Sequence, residues 1–356
     1  MSPRHTRLPK ATLAELTAAI LGAVGVPPEH ANITATRLVE ADLRGRTGHG
    51  LIRLASYVSR IRAGGINVRP AVEVTHETPV SAQVDGDNGL GQVVMTRATE
   101  LAIAKARESG LAWVGTVHSN HAGAAGLYAQ LAADAGLVGI YTAVANANGM
   151  PPWGGTNPLL GTNPLAIAIP TNGSPFVLDI ATTAASHGTI KVAAREGRSL
   201  PEGWLVDGRG QPITDPQRAA DGFLVPMGGY KGSGLTIAIG LLAGVLNGAA
   251  FGAEVVDHRR DAVTATNTGQ AILVMRPDLF RPQGEVIADL TRHLEALRDS
   301  GTPDGRQVRL PGDESARVHA ENIGRGIPVP DPLAAELHQL ARDCGVASPF
   351  SHEDSQ

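Results

Sequence analysis

Cysteine is almost missing from this 356-residue chain, with Cys344 alone present. A single cysteine rules out an intrachain disulfide and a cysteine-based zinc site, and it suits a reducing cytoplasm. There is no excess of basic charge either: 30 Lys and Arg stand against 34 Asp and Glu, a net charge of −4 with no dense Lys/Arg cluster. That excludes a nucleic-acid-binding surface. The leading stretch MSPRHTRLPKATLAELTAAI has no continuous apolar core followed by a small-residue cleavage site, so no signal peptide is expected. Two nucleotide fingerprints are also missing. GLGQVV (89–94) lacks the last glycine of G-x-G-x-x-G, and GYKGSG (229–234) does not follow the Walker order.

What is present is a globular chain. Hydrophobic residues make up 42% and charged ones 18%, enough for a sizeable core in one large domain or two. The uncharged run GSGLTIAIGLLAGVLNGAAFGA (232–253) is long enough to span a bilayer. Its glycines, Thr236 and Asn247 dilute it, and a buried helix of a soluble core is expected instead. LPKATLAELTAAILGAVG reads as a helix stopped at Gly25. Pro27 and Pro28 open a second, expected to end near Gly64-Gly65. Short alternating runs over 70–84 predict strands and turns. A helix over 92–109 follows, and then strands and helices alternate through LAWVGTVH, AGLYAQLAADAG, LVGIYTAVAN, PLAIAIP, FVLDIA and AILVMRP. This is an α/β core between helical ends. The expected division is a helical part over 1–70, an α/β domain over 71–265, and a segment over 266–356 whose helices around 284–298 return to the N-terminal helical unit.

HSNHAGAAG (118–126) places His118 and His121 just beyond a strand, where ligands collect in α/β sheets. A metal would need further ligands, and neither a nearby acid nor an H-E-x-x-H motif provides them. The remaining readings are acid–base chemistry and two loop histidines bound to backbone. In RTGHGLIRL (46–54), His49 and Arg53 are four apart and would share one helical face, a carboxylate-gripping pair or an ordinary helix start. GTNPLAIAIP places Thr162 on a loop before a strand. Asp179 ends FVLDIATT, where it would meet ribose hydroxyls, orient a histidine or cap a helix. Lys231 among glycines is a phosphate contact or a solvated turn lysine.

The ordered series RTGHGLIRLASYVSRIRAGGIN, VHSNHAGAAGLYA, PPWGG, LGTNPLAIAIP, VLDIATT, LPEGWLVDGRGQPITDP, GGYKGSGL and LPGDES resembles the malate/L-lactate dehydrogenase family of the non-Rossmann type, over about residues 9–330. Its members include ureidoglycolate, sulfolactate, diketogulonate and cyclic imino acid enzymes. The resemblance implies an NAD(P)-binding domain of unusual fold with a mixed sheet, a mainly helical domain from both chain ends, a homodimer, and NAD or NADP as cofactor; the single cysteine makes the expected compartment the cytoplasm. It implies hydride transfer at C2 of a 2-hydroxy or 2-oxo acid. The alternative is reduction of cyclic 2-imino acids or N-alkyl imines such as piperideine-2-carboxylate. It matches His121 to the proton-accepting histidine, His49 to the histidine of an S-H-G motif, and Arg53 to the arginine that binds the substrate carboxylate. Thr162 is assigned to the substrate. Asn146, Asp179, Ile180, Ala181, Lys231, Gly232 and Gly312 are assigned to the cofactor, and no residue is assigned to a metal. His118 receives no family role. His187, Lys191 and Arg195 lie near the motif that would meet a 2′-phosphate. One departure is plain: S-H-G reads Gly48-His49-Gly50 here, which removes a hydroxyl beside the histidine and weakens the imine reading more than the hydroxy-acid one.

Overall fold

The computed structural model describes residues 5–303 and 305–350, without the side chains of His187, Lys191 and Arg195. In chain order it forms β1 (His5–Leu8), α1 (Lys10–Ala23), α2 (Pro28–Leu43), α3 (Leu54–Arg62), β2 (Glu73–Thr78), β3 (Ser81–Asp85), α4 (Gly91–Ser109), β4 (Leu111–Ser119), α5 (Gly126–Asp134), β5 (Val138–Ala143), β6 (Leu165–Ile169) and β7 (Phe176–Ile180). Then come α6 (His187–Arg195), β8 (Leu205–Val206), β9 (Phe223–Leu224), α7 (Tyr230–Ala243), β10 (Thr268–Met275), α8 (Gln283–Arg298), α9 (Asp313–Arg325), β11 (Ile327–Pro330) and α10 (Asp331–Asp343).

The two chain ends build one helical unit. β1 and β11 pair antiparallel, His5 opposite Pro330. One apolar core joins Leu13, Ile20, Leu38 and Leu54 to Ile327, Val329, Leu337 and Ala341. α10 supplies the returning stripe, burying Ala334, Leu337, Leu340 and Ala341. The helix expected to return, α8, does not. It buries no residue fully and is tied to the β6–β7 turn by the Asn172 N–H, which donates to Thr291 Oγ1 at 3.1 Å.

The second layer is a seven-stranded mixed sheet in the order β2-β3-β4-β10-β5-β6-β7. β3 and β4 are parallel and the other neighbours antiparallel. β10 is its middle strand, so residues 268–275, expected with the C-terminal helical segment, lie in the sheet. Its near-continuous apolar sequence suits a strand covered on both faces. Ile272 and Val274 pack on one face with Val94, Met95 and Ala98 of α4 and Tyr128 and Ala129 of α5. On the opposite face, a Cβ at Gly269 would stand 2.1 Å from the Ala243 carbonyl of α7. The two faces follow from the two-residue period of a strand.

α7 is the helix expected from the uncharged run. It ends after 14 residues, and among the described residues no helix is long and apolar enough to cross a membrane. It is not buried all round: Leu241 and Leu242 are exposed, as is Leu246 in the turn after it. The alternating strand directions bring the carboxyl ends of β4, β5 and β7 and the amino ends of β6 and β10 to one end of the sheet, and the helical unit meets the sheet there.

Candidate active site

The loop carrying His49 and Arg53 is shaped by Asp42. The helix expected to continue from Pro28 to Gly64 stops at Leu43 and resumes only at Leu54, with two 3₁₀ turns, Thr47–His49 and Leu51–Arg53, between. His49 and Arg53 therefore do not share a helical face. The cause is local: the buried Asp42 Oδ2 accepts the Leu51 N–H at 2.8 Å, and a Cβ at Gly50 would lie 2.2 Å from Asp42 Oδ1. Only a glycine lets the chain fold back over that carboxylate. Burial pushes Asp42 up to about 7, against the pull of the Leu51 hydrogen bond.

This fold-back turns Arg53 inward. Its Nε donates to the Gly48 carbonyl at 2.7 Å. Among the described residues no carboxylate forms an ion pair with it. It is half-buried, and burial followed by the nearby Arg259 charge holds its pKa below the usual value despite the counter-effect of Tyr57. A cation so placed favours an anion in its unfilled hydrogen-bonding fork.

His121 lies beyond β4 on a rigid support. Asn120 Nδ2 donates to the carbonyls of Asn88 and Gly89 at 3.0 and 2.9 Å, and Gln270 Nε2 donates to the Asn120 carbonyl at 2.8 Å. α4 begins directly against this turn: a Cβ at Gly91 would stand 2.1 Å from the Asn120 carbonyl oxygen. The His121 ring is 5.9 Å from that of His49, nearly parallel, and 5.2 Å from that of His258. Its Nδ1 is 2.6 Å from the Tyr57 hydroxyl, to which Gln92 Nε2 donates at 2.8 Å.

Three imidazoles thus lie within the field of one cation. Burial, then Arg53, His258 and His49, hold His121 well below its usual value. His258 is pushed down to about 4 by burial and then Arg53. His49 is pushed down to about 4 by crowding and then by Arg53 and Arg46. Part of its surface is exposed, so hydration offsets the crowding there and the two guanidiniums are the firmer cause. The loop after His258 is pinned by Arg60, whose Nη2 donates to Thr264 O in that loop and to Gly65 O just beyond α3, each at 2.9 Å, and the His258 N–H donates to Asn146 O at 3.3 Å.

His118 points elsewhere. Its backbone is left-handed, with φ 50°, its N–H donates to Asn267 Oδ1 at 2.7 Å, and its Nδ1 is 2.9 Å from Asp85 Oδ2. It lines a surface groove of about 520 Å³ with Glu73, Asp85 and Asp87. That acidic lining would repel an organic acid, so the groove is not the reaction site despite its size. The nitrogens of the 118/121 pair have separate partners, and no cluster of three metal-ligating side chains occurs among the described residues.

The residues assigned to the cofactor converge on Thr182. Its N–H and hydroxyl both donate to the Thr162 carbonyl, at 2.9 and 3.0 Å. Its carbonyl accepts the Met227 N–H at 2.9 Å, and its hydroxyl accepts from Thr236 of α7 at 2.8 Å. The GTNP loop, the Asp179-Ile180-Ala181 strand end and the start of α7 with Lys231 and Gly232 are therefore one cluster. Gly312, with φ 95°, packs on the same edge: a Cβ there would lie 2.9 Å from Val177 N. Asn146 joins through its neighbour, since the Ala145 N–H donates to Asn163 Oδ1 at 3.0 Å, while Asn146 Nδ2 donates to Thr268 Oγ1. The Asp179 carboxylate turns inward instead, packing on Gly126 at the start of α5 and lying 3.9 Å from Arg46. This ties the cofactor-side edge to the His49 loop.

A dinucleotide fits this cluster. Gly228 and Gly229 both have positive φ, 62° and 67°. A Cβ at Gly228 would meet nothing within 4 Å, which leaves open space at the N-terminus of α7 beside the exposed Lys231 amine. Helix N-termini and such glycine turns receive phosphate. The side chains of His187, Lys191 and Arg195 on α6 lie outside the described residues.

Three site residues were not singled out in the sequence: Tyr57, Gln92 and His258. Tyr57 had a signal, four residues past Arg53 at the start of α3. Gln92 sits inside the failed glycine fingerprint. His258 has no local motif.

The chain has relatives among known proteins. A family model described as malate/L-lactate dehydrogenase matches residues 8–338. A malate dehydrogenase of Pyrococcus abyssi is 35% identical, covering 96% of each chain. A (2R)-3-sulfolactate dehydrogenase (NADP(+)) of Chromohalobacter salexigens is 35% identical over 92% of this chain and 95% of its own. A ureidoglycolate dehydrogenase (NAD(+)) of Escherichia coli O157:H7 is 35% identical over 92% and 93%. Among solved structures, the sulfolactate dehydrogenase of Methanocaldococcus jannaschii superposes with a TM-score of 0.88 at 34% identity, covering 96% of this chain and 98% of its own. The Δ1-piperideine-2-carboxylate reductase of Pseudomonas syringae pvar. tomato gives 0.85 at 31%, covering 94% and 100%.

Proposed function

The chain belongs to the malate/L-lactate dehydrogenase family, and on that premise we propose that His121 moves the proton and Arg53 binds the substrate carboxylate. The protein is an NAD(P)-dependent oxidoreductase acting between a 2-hydroxy acid and its 2-oxo acid. When bound, the nicotinamide supplies or accepts the hydride at C2. The residues of this chain do the rest. Arg53 grips the carboxylate through its unfilled fork. His121, kept neutral, takes the hydroxyl proton during oxidation and returns it during reduction. His49, stacked on His121, polarises the same oxygen or steadies the carboxylate. Lys231, Gly232, Asn146, Gly312 and the 179–181 backbone hold the dinucleotide around the Thr182 junction, with Thr162 at the substrate side.

The observation that carries this reading is Arg53: a half-buried guanidinium with no acidic partner among the described residues, set among three imidazoles held neutral. A second reading, reduction of cyclic 2-imino acids, is supported by the likeness to the piperideine-2-carboxylate reductase and weakened by Gly48, which offers no hydroxyl beside His49. A panel of 2-oxo acids and cyclic 2-imino acids, each with NADH and NADPH, separates the two. Turnover of 2-oxo acids without added amine supports the first reading, and turnover of imines alone replaces it with the second. We further propose a cytoplasmic homodimer. The exposed Leu241, Leu242, Val245 and Leu246 on α7 and the turn after it suit a subunit contact, and the unpaired Cys344 suits a reducing compartment.

A further inference from the structure

The tyrosine and glutamine behind His121 are not accounted for by substrate binding. Gln92 is fully buried, and Tyr57 nearly so, at 3% exposure. Gln92 is held where α4 starts, because Gly91 presses on the turn that carries His121. Its amide nitrogen donates to the Tyr57 oxygen at 2.8 Å, and its own Oε1 is buried with no partner. A phenol has one proton to give. With Gln92 donating to the oxygen, the acceptor that the described residues offer that proton is His121 Nδ1 at 2.6 Å. A neutral imidazole whose Nδ1 accepts must carry its hydrogen on Nε2.

We propose that Tyr57, oriented by Gln92, is a positioning residue that fixes His121 as the Nε2–H tautomer and backs its proton transfer. This rests on the reading of His121 as the proton-transferring group. As a 2-oxo acid is reduced at C2, the Nε2–H bond breaks and the carbonyl oxygen gains that proton as the product hydroxyl. The Tyr57 O–H bond breaks in step, and Nδ1 gains the phenolic proton. The negative charge rests on the Tyr57 oxygen, beside the Gln92 N–H and within the field of Arg53. When the product leaves, water returns one proton to Nε2 and Tyr57 recovers its own from Nδ1. Oxidation runs the same steps backwards. Burial first, against the Gln92 hydrogen bond and Arg53, pushes Tyr57 up to about 12, so the phenol keeps its proton at rest. The imidazolium is disfavoured by burial, Arg53, His258 and His49, which is why a neutral donor with a partner behind it suits this site.

Nitrogen NMR of protein labelled at histidine nitrogen, with His121 assigned by its absence in His121→Gln, reads the tautomer directly. At pH 8 the wild type is expected to show Nδ1 without hydrogen and Nε2 with it. A wild-type pattern with hydrogen on Nδ1 overturns the proposal. Gln92→Glu puts an acceptor-only group against the Tyr57 oxygen. The phenol should then turn its proton toward the carboxylate, and His121 should invert to the Nδ1–H form. An unchanged pattern removes Gln92 from the mechanism. Tyr57→Phe keeps the ring and loses the proton. We expect a mixed tautomer and a kcat about 10–100-fold lower, the usual cost of losing an orienting partner, with KM for the 2-oxo acid within about threefold. A wild-type kcat in Tyr57→Phe overturns the relay. His121→Gln assayed alongside separates the two levels: if it is active, the role of His121 itself fails, and if it is inactive while Tyr57→Phe is normal, only the relay fails.

Discussion

Asp42 and Leu51 are joined by a hydrogen bond of 2.8 Å from the Leu51 N–H to a buried carboxylate oxygen, and this contact sets the loop that delivers His49 and Arg53. It also makes a pH prediction. The Asp42 carboxyl is raised to about 7 in the fold, above the unfolded value of about 3.9. Between those values the folded state holds more protons, so this group makes stability fall as pH rises, and its contribution is constant above about 7. Asn at this position keeps an oxygen for the Leu51 N–H and cannot ionise. The stability difference between Asp42→Asn and wild type, measured by denaturant unfolding, should move in favour of the variant by about 1 kcal/mol or more between pH 4 and pH 8. A difference independent of pH would show that Asp42 titrates normally.

Gly91 should tolerate no side chain. A Cβ there would stand 2.1 Å from the Asn120 carbonyl and 2.7 Å from the His121 carbonyl carbon, both backbone atoms on a turn pinned by Asn120. Gly91→Ala is expected to cost about 1–3 kcal/mol of stability through overpacking and to lower kcat, because the displaced turn carries His121. Thermal unfolding and turnover measured together check this. A variant of wild-type stability and activity would mean that the turn is free to move.

Arg53→Lys replaces a two-pronged guanidinium with a point charge. KM for the 2-oxo acid should rise about tenfold or more, a loss of roughly 1.4 kcal/mol of uniform binding, with a smaller change in kcat. An unchanged KM would remove Arg53 from the carboxylate site.

The charge on Arg53 should also be visible in the titration of His121. Burial and then Arg53 hold the imidazole pKa well below its usual value, so His121 is neutral throughout the neutral range and only gains a proton in acid. An unreactive 2-oxo acid analogue bound at Arg53 would cancel part of that field and raise the pKa. NMR titration of the ring with and without the analogue measures the shift. The same direction is expected, without ligand, in Arg53→Met. A fall in either case contradicts the placement of the two groups.

Much of the fold was legible because its signals are local. The apolar runs that became β4, β5, β6, β7 and β10 are short and bounded by turns, and α4 matched its expected span within a residue at its start. The joining of the chain ends was visible as helical segments, but their pairing was not. α8 has the length of a core helix, yet α10 carries the stripe that fits the N-terminal core. The loop over 44–53 misled because i, i+4 spacing suggests a helix, while the decisive partner of Gly50 is Asp42, whose burial no spacing reveals. His121, His49 and Arg53 were singled out through their motifs, and the structure stacks the two rings within the field of Arg53. Tyr57, Gln92 and His258 act through contacts 35 or more residues apart in sequence, and no single stretch announces them. His118 shares a motif with His121 but its left-handed backbone turns it toward Asp85.

We propose His121 as the proton-transferring group beside a nicotinamide whose dinucleotide is gripped around Thr182. The most direct measurement is steady-state turnover of His121→Ala with its best 2-oxo acid, paired with NAD(P)H affinity from nicotinamide fluorescence. This role of His121 predicts a kcat at least about 100-fold below wild type, the scale of a lost general acid–base group, and a cofactor Kd within about threefold. A kcat close to wild type would contradict it.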